Sequence, residues 1–312
     1  MENLIISVNA VLPTFLIIGV GLIVQRAHML SSTTIRQANN LCINVFVGTM
    51  IFCNIYTADM SGGSSGMLLL FCLGGVVLQF LVGLLLFTRI IPNRPTRGVM
   101  LQAFFRANAV LLGIPIATSL YGSEGMGPVS VIVAIVVPFI NILSVISLEM
   151  NRGSKIDPKR LLRGIVINPF VIGAAVGLLL VLLGIRLPLL IEKPVLSIAN
   201  AATPLALILM GASLNFSNFK HSIRNLSISV ICRLVINPAV LIAAAIALGF
   251  RGVELCAVLV VFAVPVSVNS YTLSMQLDGD TELAGSIVLV STALSCFTLC
   301  GWVWLLKSFG LL

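Results

Sequence analysis

The chain alternates long apolar runs with short polar connections. Ten runs can be drawn, over residues 5–25, 35–56, 66–90, 98–120, 127–149, 161–184, 191–213, 223–249, 253–277 and 282–306. Each approaches or exceeds the roughly 20 residues that a helix needs to cross the hydrocarbon layer. None alternates apolar and polar positions over about 10 residues, as a barrel strand would. The pattern predicts an all-α polytopic membrane protein with ten transmembrane helices. Two of the runs are interrupted. The ninth carries Val264-Pro265-Val266-Ser267-Val268-Asn269-Ser270-Tyr271, and the fourth carries Arg106-Ala107-Asn108 and then Gly113-Ile114-Pro115-Ile116-Ala117-Thr118. A proline has no N–H and crowds the carbonyl four residues back, so these runs are expected to break at Pro115 and Pro265. Interrupted spans in corresponding positions of two halves point to a transporter's substrate site.

The basic stretch Asn151–Arg163 divides the chain into 1–150 and 151–312, with five runs on each side. An odd number of spans per half forces the second half into inverted topology, so a five-plus-five inverted repeat is expected. Faint echoes support it. Pro13 and Gly21 in run 1 are spaced like Pro169 and Gly177 in run 6, Ala38-Asn39 answers Ala199-Asn200, and Pro115 answers Pro265. Breaks in helices 4 and 9 are then expected to cross near the midplane. The pairs Asn168-Pro169 and Asn237-Pro238 read as capped helix starts.

Composition narrows the class. The chain is 59% hydrophobic and 9% charged, far below the roughly 25% charge of a soluble domain. Its net charge of +8 does not imply a nucleic-acid partner, because the basic residues sit in short loops between apolar runs. Twelve of them follow runs 1, 3, 5 and 7, against four on the other side. The positive-inside rule therefore predicts that both termini face outward. All seven cysteines lie inside apolar runs without a CxxC spacing, which reads as packing rather than disulfides or metal binding. With Glu2 and no basic residue ahead of the first run, no cleaved signal peptide is expected.

The candidate chemistry gathers at the breaks. A helix that restarts in mid-membrane presents unpaired N–H groups and about half a positive charge. Two such ends facing one cavity would bind an anion without a charged side chain. Asn108, Ser267, Asn269, Ser270 and Thr118 lie close to the breaks in sequence, with Gly113, Pro115, Ile116 and Pro265 forming them. Amides and hydroxyls orient a carboxylate at lower burial cost than charges; their bland alternative is hydrogen bonding between helices. Arg106 and Arg233 interrupt apolar runs, each either a counter-charge in the substrate path or an interface anchor. The ten acidic residues fall at or beyond run ends, and His28 and His221 lie in loops. No aspartate pair or activated serine sits in mid-membrane, so neither an enzyme nor a cofactor is expected.

Phe105-Arg106-Ala107-Asn108, Gly113-Ile114-Pro115, Pro265, Asn269-Ser270-Tyr271 and Gly279-Asp280 together resemble the auxin efflux carrier family over essentially the whole chain. The resemblance implies a scaffold from helices 1, 2, 6 and 7 that pairs as a homodimer, and a transport domain from helices 3–5 and 8–10. It implies alternating access and a small organic anion such as malonate or malate as substrate. Many plant members carry a long insertion between spans 5 and 6, which the short 151–163 stretch lacks. Auxin itself is therefore not the expected cargo, and an inner-membrane permease is. A sodium- or proton-coupled symporter built like the bile-acid transporters is the alternative within transport, and a membrane sensor without flux is the alternative outside it.

Overall fold

A computed structural model describes residues 2–57, 66–122, 127–153, 158–213 and 223–312. Asp59, Glu124, Asp157, Lys155, Lys220 and His221 lie outside the described residues. Everything regular in them is helical. The first half contains α1 (Glu2–Arg26), α2 (Ser32–Leu41), α3 (Gly48–Tyr56), α4 (Gly66–Ile90), α5 (Arg94–Phe105), α6 (Ile114–Tyr121) and α7 (Gly127–Asn151). The second contains α8 (Pro158–Ile167), α9 (Pro169–Leu182), α10 (Leu189–Ser213), α11 (Ile223–Ile231), α12 (Asn237–Ala247), α13 (Gly252–Phe262), α14 (Asn269–Gln276) and α15 (Thr281–Ser308).

Several runs are continuous through widened π turns rather than broken. Such turns at Cys42–Val47, Ala109–Gly113 and Cys232–Ile236 join α2 to α3, lead into α6, and join α11 to α12. Six helices among the described residues are then long and apolar enough to cross a membrane: Thr33–Tyr56, Gly66–Ile90, Gly127–Asn151, Leu189–Ser213, Ile223–Ala247 and Thr281–Ser308. Phe15–Arg26, Ala109–Tyr121, Pro169–Leu182 and Gly252–Phe262 are shorter apolar helices. Leucines left in the open, such as Leu70, Leu182 and Leu190, fit a surface wetted by lipid rather than water.

Three expectations need correction. The fourth run does not break at Pro115. Pro115 sits in the first turn of α6, where a missing N–H costs nothing, and the Ile114 N–H closes the preceding π turn onto the Ala109 carbonyl. The interruption lies upstream at Arg106–Asn108, where Arg106 is extended (ψ 105°) and Asn108 takes φ −90°, ψ 52°. The sixth run, drawn as one segment over 161–184, is divided at Asn168. There Asn168 Oδ1 accepts the Phe170 N–H at 2.9 Å, the cap that the sequence led one to expect. Asn237, by contrast, begins no new helix. Its segment continues out of the π turn, and its Nδ2 donates to the Phe104 carbonyl at 2.6 Å.

Glycine sets the tightest packing. α1 lies along α10, and α3 along α9. A Cβ on Gly21 would meet the Ile208 carbonyl and the Gly211 Cα, and one on Gly211 would meet the Ile18 carbonyl. Gly173 likewise stands against the Gly48 carbonyl, and Gly177 against that of Phe52. Close backbone approach through small residues is the main source of helix association in lipid, which offers no hydrophobic drive.

Candidate functional site

The two interrupted segments cross each other. Ala107 and Val266 form an isolated antiparallel bridge, and the Asn108 N–H donates to the Pro265 carbonyl at 2.9 Å. On the upstream side α5 ends at Phe105 and α13 at Phe262; on the downstream side the chain restarts at Ala109 and at Asn269. Pro265 explains one break directly, since it can supply a carbonyl to the crossing but no donor.

Arg233 holds the upstream ends. It is wholly buried, and its Nε donates to the Val264 carbonyl at 2.9 Å, Nη1 to Phe105 at 3.3 Å and Nη2 to Val261 at 3.1 Å. Two helix C-termini carry about −0.5 charge each, so one guanidinium balances the pair. Arg233 is therefore neither a counter-charge in an open path nor a snorkelling anchor, but a brace between the broken helices. Arg106 is as deeply buried, so it does not snorkel either. Its Nη1 donates to Gln102 Oε1 at 3.1 Å, its Nη2 to Asn141 Oδ1 at 3.2 Å, and its guanidinium lies 5.3 Å from the Phe170 ring centroid. Gln102 in turn donates to the Ser270 carbonyl and to Ser274 Oγ, which ties α5 to α14.

Against the crossing lies a cavity of about 430 Å3. One wall is formed by Ala107, Asn108 and the first turn Ala109–Leu111, together with Ser267, Val268 and Asn269. These are the first residues of both restarted helices, whose N–H groups have no partner one turn back. α7 contributes Val137, Ile140 and Asn141; the opposite wall comes from Pro13 and Ile17 of α1, Met50, Ile51 and Asn54 of α3, and Ala199, Asn200, Thr203, Pro204 and Leu207 of α10. A second chamber of about 320 Å3 shares Ile51, Asn54, Val110, Val137 and Asn141, and continues it towards Thr57 and Ser130. At the other end the halves are fastened together: Asn39 Nδ2 donates to the Thr272 carbonyl at 3.3 Å, and Arg36 pairs with Asp278 at 3.7 Å.

The polar lining consists of amides and hydroxyls, and no described acidic or basic side chain reaches it. Asn108 is 5% exposed, and its Nδ2 has no hydrogen-bond partner. Since Asn141 Oδ1 is taken by Arg106, the amide NH2 is the end left for the cavity. Arg106 thus acts on the lining from behind, by fixing which way an amide faces.

Of the residues singled out in the sequence, Asn108, Ser267 and Asn269 come together here. Arg106, Arg233, Gly113, Pro115, Ile116, Thr118, Pro265 and Ser270 do not line the cavity. Pro265 acts through its carbonyl; Gly113 lets α13 close in, since a Cβ there would stand 2.5 Å from Val260 Cγ1. Pro115 and Thr118 are exposed, with Thr118 Oγ1 donating to the Ile114 carbonyl of its own helix, and Ile116 is in the apolar core. Ser270 is buried behind the wall. Asp280 caps α15 through the Leu283 N–H and accepts from Thr96 of α5, so the Gly279-Asp280 pair serves architecture. Asn54, Asn141, Asn200 and Thr203 were not foreseen. Their signal was a lone amide or hydroxyl inside an apolar run.

The sequence profile of the membrane transport protein family matches residues 6–303. The chain belongs to that family. This bears out the resemblance to the auxin efflux carriers and sets the protein among multi-pass transporters rather than enzymes. It is 26% identical over 299 residues to an uncharacterized transporter of Methanothermobacter thermautotrophicus, covering 95% of this chain and 97% of that one. An uncharacterized transporter of Methanocaldococcus jannaschii is 23% identical over 96% of this chain and 99% of its own. A Rhizobium meliloti protein that bears the name "Putative malonate transporter" is 27% identical over 148 residues, 47% of this chain and 46% of that one.

Proposed function

We propose that the protein is a secondary transporter of small carboxylates that works by alternating access across an inner membrane. The observation that carries this reading is the makeup of the cavity: two helix starts and the amide residues Asn54, Asn108, Asn141, Asn200 and Asn269 line it, and no described carboxylate does. Helix starts in a site shielded from water favour anions, whereas a cation would find little there to replace its hydration. The malonate named for the Rhizobium relative fits a cavity of this size and polarity.

In this reading the chain crosses the bilayer ten times as two inverted halves, 1–150 and 151–312. α1–α3 and α8–α10 form a scaffold that pairs with a second copy; α4–α7 and α11–α15 carry the crossing as a moving unit. With the basic loops inside and both termini outside, the chamber at Thr57 and Ser130 opens outward. The cytosolic exit is then the end closed by Asn39–Thr272 and Arg36–Asp278.

Binding of mono- and dicarboxylates and of their neutral amides to the purified protein tests the proposal. The acid is expected to bind at least tenfold tighter, or ~1.4 kcal/mol. Asn108→Ala is expected to weaken the acid by ~1–3 kcal/mol with little change in melting temperature, because the side chain caps nothing and its Nδ2 bonds to nothing. Equal affinity for acid and amide, or tight binding of an amine, refutes the anion site.

A further inference from the structure

The outer side of the α3–α9 pair carries a groove that transport leaves unused. Its floor is glycine, since Gly48 and Gly173 meet backbone to backbone. Phe52, Ile172, Val176 and Leu180 rise around about 530 Å3 of open, mainly apolar space. From Pro169 to Leu180 the groove follows α9 over twelve residues, about 16 Å at helical rise. That is close to one leaflet of a hydrocarbon core roughly 30 Å thick.

At one end the groove becomes polar. Asn44, Ile167 and Pro169 are shared with a pocket of about 390 Å3 that also contains Arg152 and Arg163. Arg152 is engaged, 3.3 Å from Glu149 and 3.0 Å from Asp278. Arg163 is exposed and has no ion-pair partner among the described residues. It projects from α8, where Lys159 lies one turn earlier and the apolar Leu162, Val166 and Ile167 are all more than half exposed. A helix with exposed leucine and isoleucine beside basic residues belongs at the headgroup boundary. α8 is pinned there by Gly164, whose Cβ, if present, would come within 2.5 Å of Glu149 Oε1.

A mainly apolar trough of leaflet length that ends at an arginine without an ion-pair partner among the described residues matches a molecule with an acyl chain at one end and an anion at the other. We propose that the α3–α9 groove is a binding site for an anionic phospholipid, its acyl chain against Phe52, Ile172, Val176 and Leu180 and its phosphate at Arg163. The guanidinium fork suits phosphate geometry. A choline headgroup brings its own cation and gains less from Arg163.

Native mass spectrometry of the detergent-solubilised protein, titrated with phosphatidylglycerol, phosphatidylcholine or inorganic phosphate, tests this site independently of the transport reading. The wild type is expected to retain phosphatidylglycerol about fivefold better than phosphatidylcholine. Arg163→Gln removes that preference, and Val176→Trp, at a lipid-facing position, weakens both lipids by filling the trough. Equal retention of the two lipids, or a preference unchanged in Arg163→Gln, overturns the proposal. So does competition by inorganic phosphate with no effect of Val176→Trp, which reduces the site to a simple anion pocket. Loss of a dimer in Val176→Trp with lipid retention intact gives the groove to a second copy of the chain instead.

Discussion

Replacing Arg233 with methionine removes the brace while keeping most of the side-chain volume. Three carbonyls, those of Phe105, Val261 and Val264, lose their donor. A buried acceptor left without a partner costs about 1–3 kcal/mol, which sums to ~3–9 kcal/mol. Against this stands the relief of burying a guanidinium, about 2.5–3.5 kcal/mol on insertion scales. The net loss expected is ~3 kcal/mol, or a fall in melting temperature of about 6–12 °C on the scale of soluble proteins. Arg233→Lys keeps the charge that two helix C-termini attract but reaches fewer of the three carbonyls, so it is expected to fall between wild type and Arg233→Met. Thermal unfolding in detergent, followed by intrinsic fluorescence, measures the order. Carboxylate affinity should fall alongside, because the same residue holds both upstream ends in register. A melting temperature for Arg233→Met within about 2 °C of wild type, well under the shift worked above, together with unchanged binding, refutes the argument. The carbonyls would then have other partners.

The two prolines are expected to separate. Pro265→Ala should reduce the preference for an acid over its amide, since Pro265 sits in the crossing, whereas Pro115→Ala should leave binding within about twofold, equivalent to ~0.4 kcal/mol, because the helix already runs through Pro115. A larger effect at Pro115 contradicts the placement of the break. Orientation is checked by alkaline phosphatase fusions: one after Leu312 should be active and one in the 151–163 loop inactive. The reverse pattern overturns the outward-opening assignment.

The helical class, the interruption at Pro265 and the candidacy of Asn108 and Asn269 were legible in the chain because each is local. A proline in an apolar run announces itself, and an amide beside it has few other uses. Pro115 misled for an equally local reason. A single π turn at Ala109–Gly113 absorbs it, and nothing in the residue sequence distinguishes that turn from a break. Asn54, Asn141, Asn200 and Thr203 were hidden because they reach the cavity from three separate helices, and spacing along a chain carries no record of which distant helices meet. Arg106 and Arg233 were visible as anomalies but not as parts. Their meaning lies in the carbonyls and amides they touch, which belong to other segments.

The cavity's two walls differ in what mutation can change. One wall is formed by the helix starts at Ala109–Leu111 and Ser267–Asn269, and a backbone N–H there survives nearly any substitution of the residue that bears it. The opposite wall is set by side chains, Met50, Asn54, Asn200 and Thr203 among them. Drift in those positions alters the length and contour of the space without touching the charge preference. On the proposed carboxylate reading, a lineage built on this arrangement is free to exchange one acid for another by a few substitutions on α3 and α10, while changing the sign of its cargo would require dismantling the crossing itself.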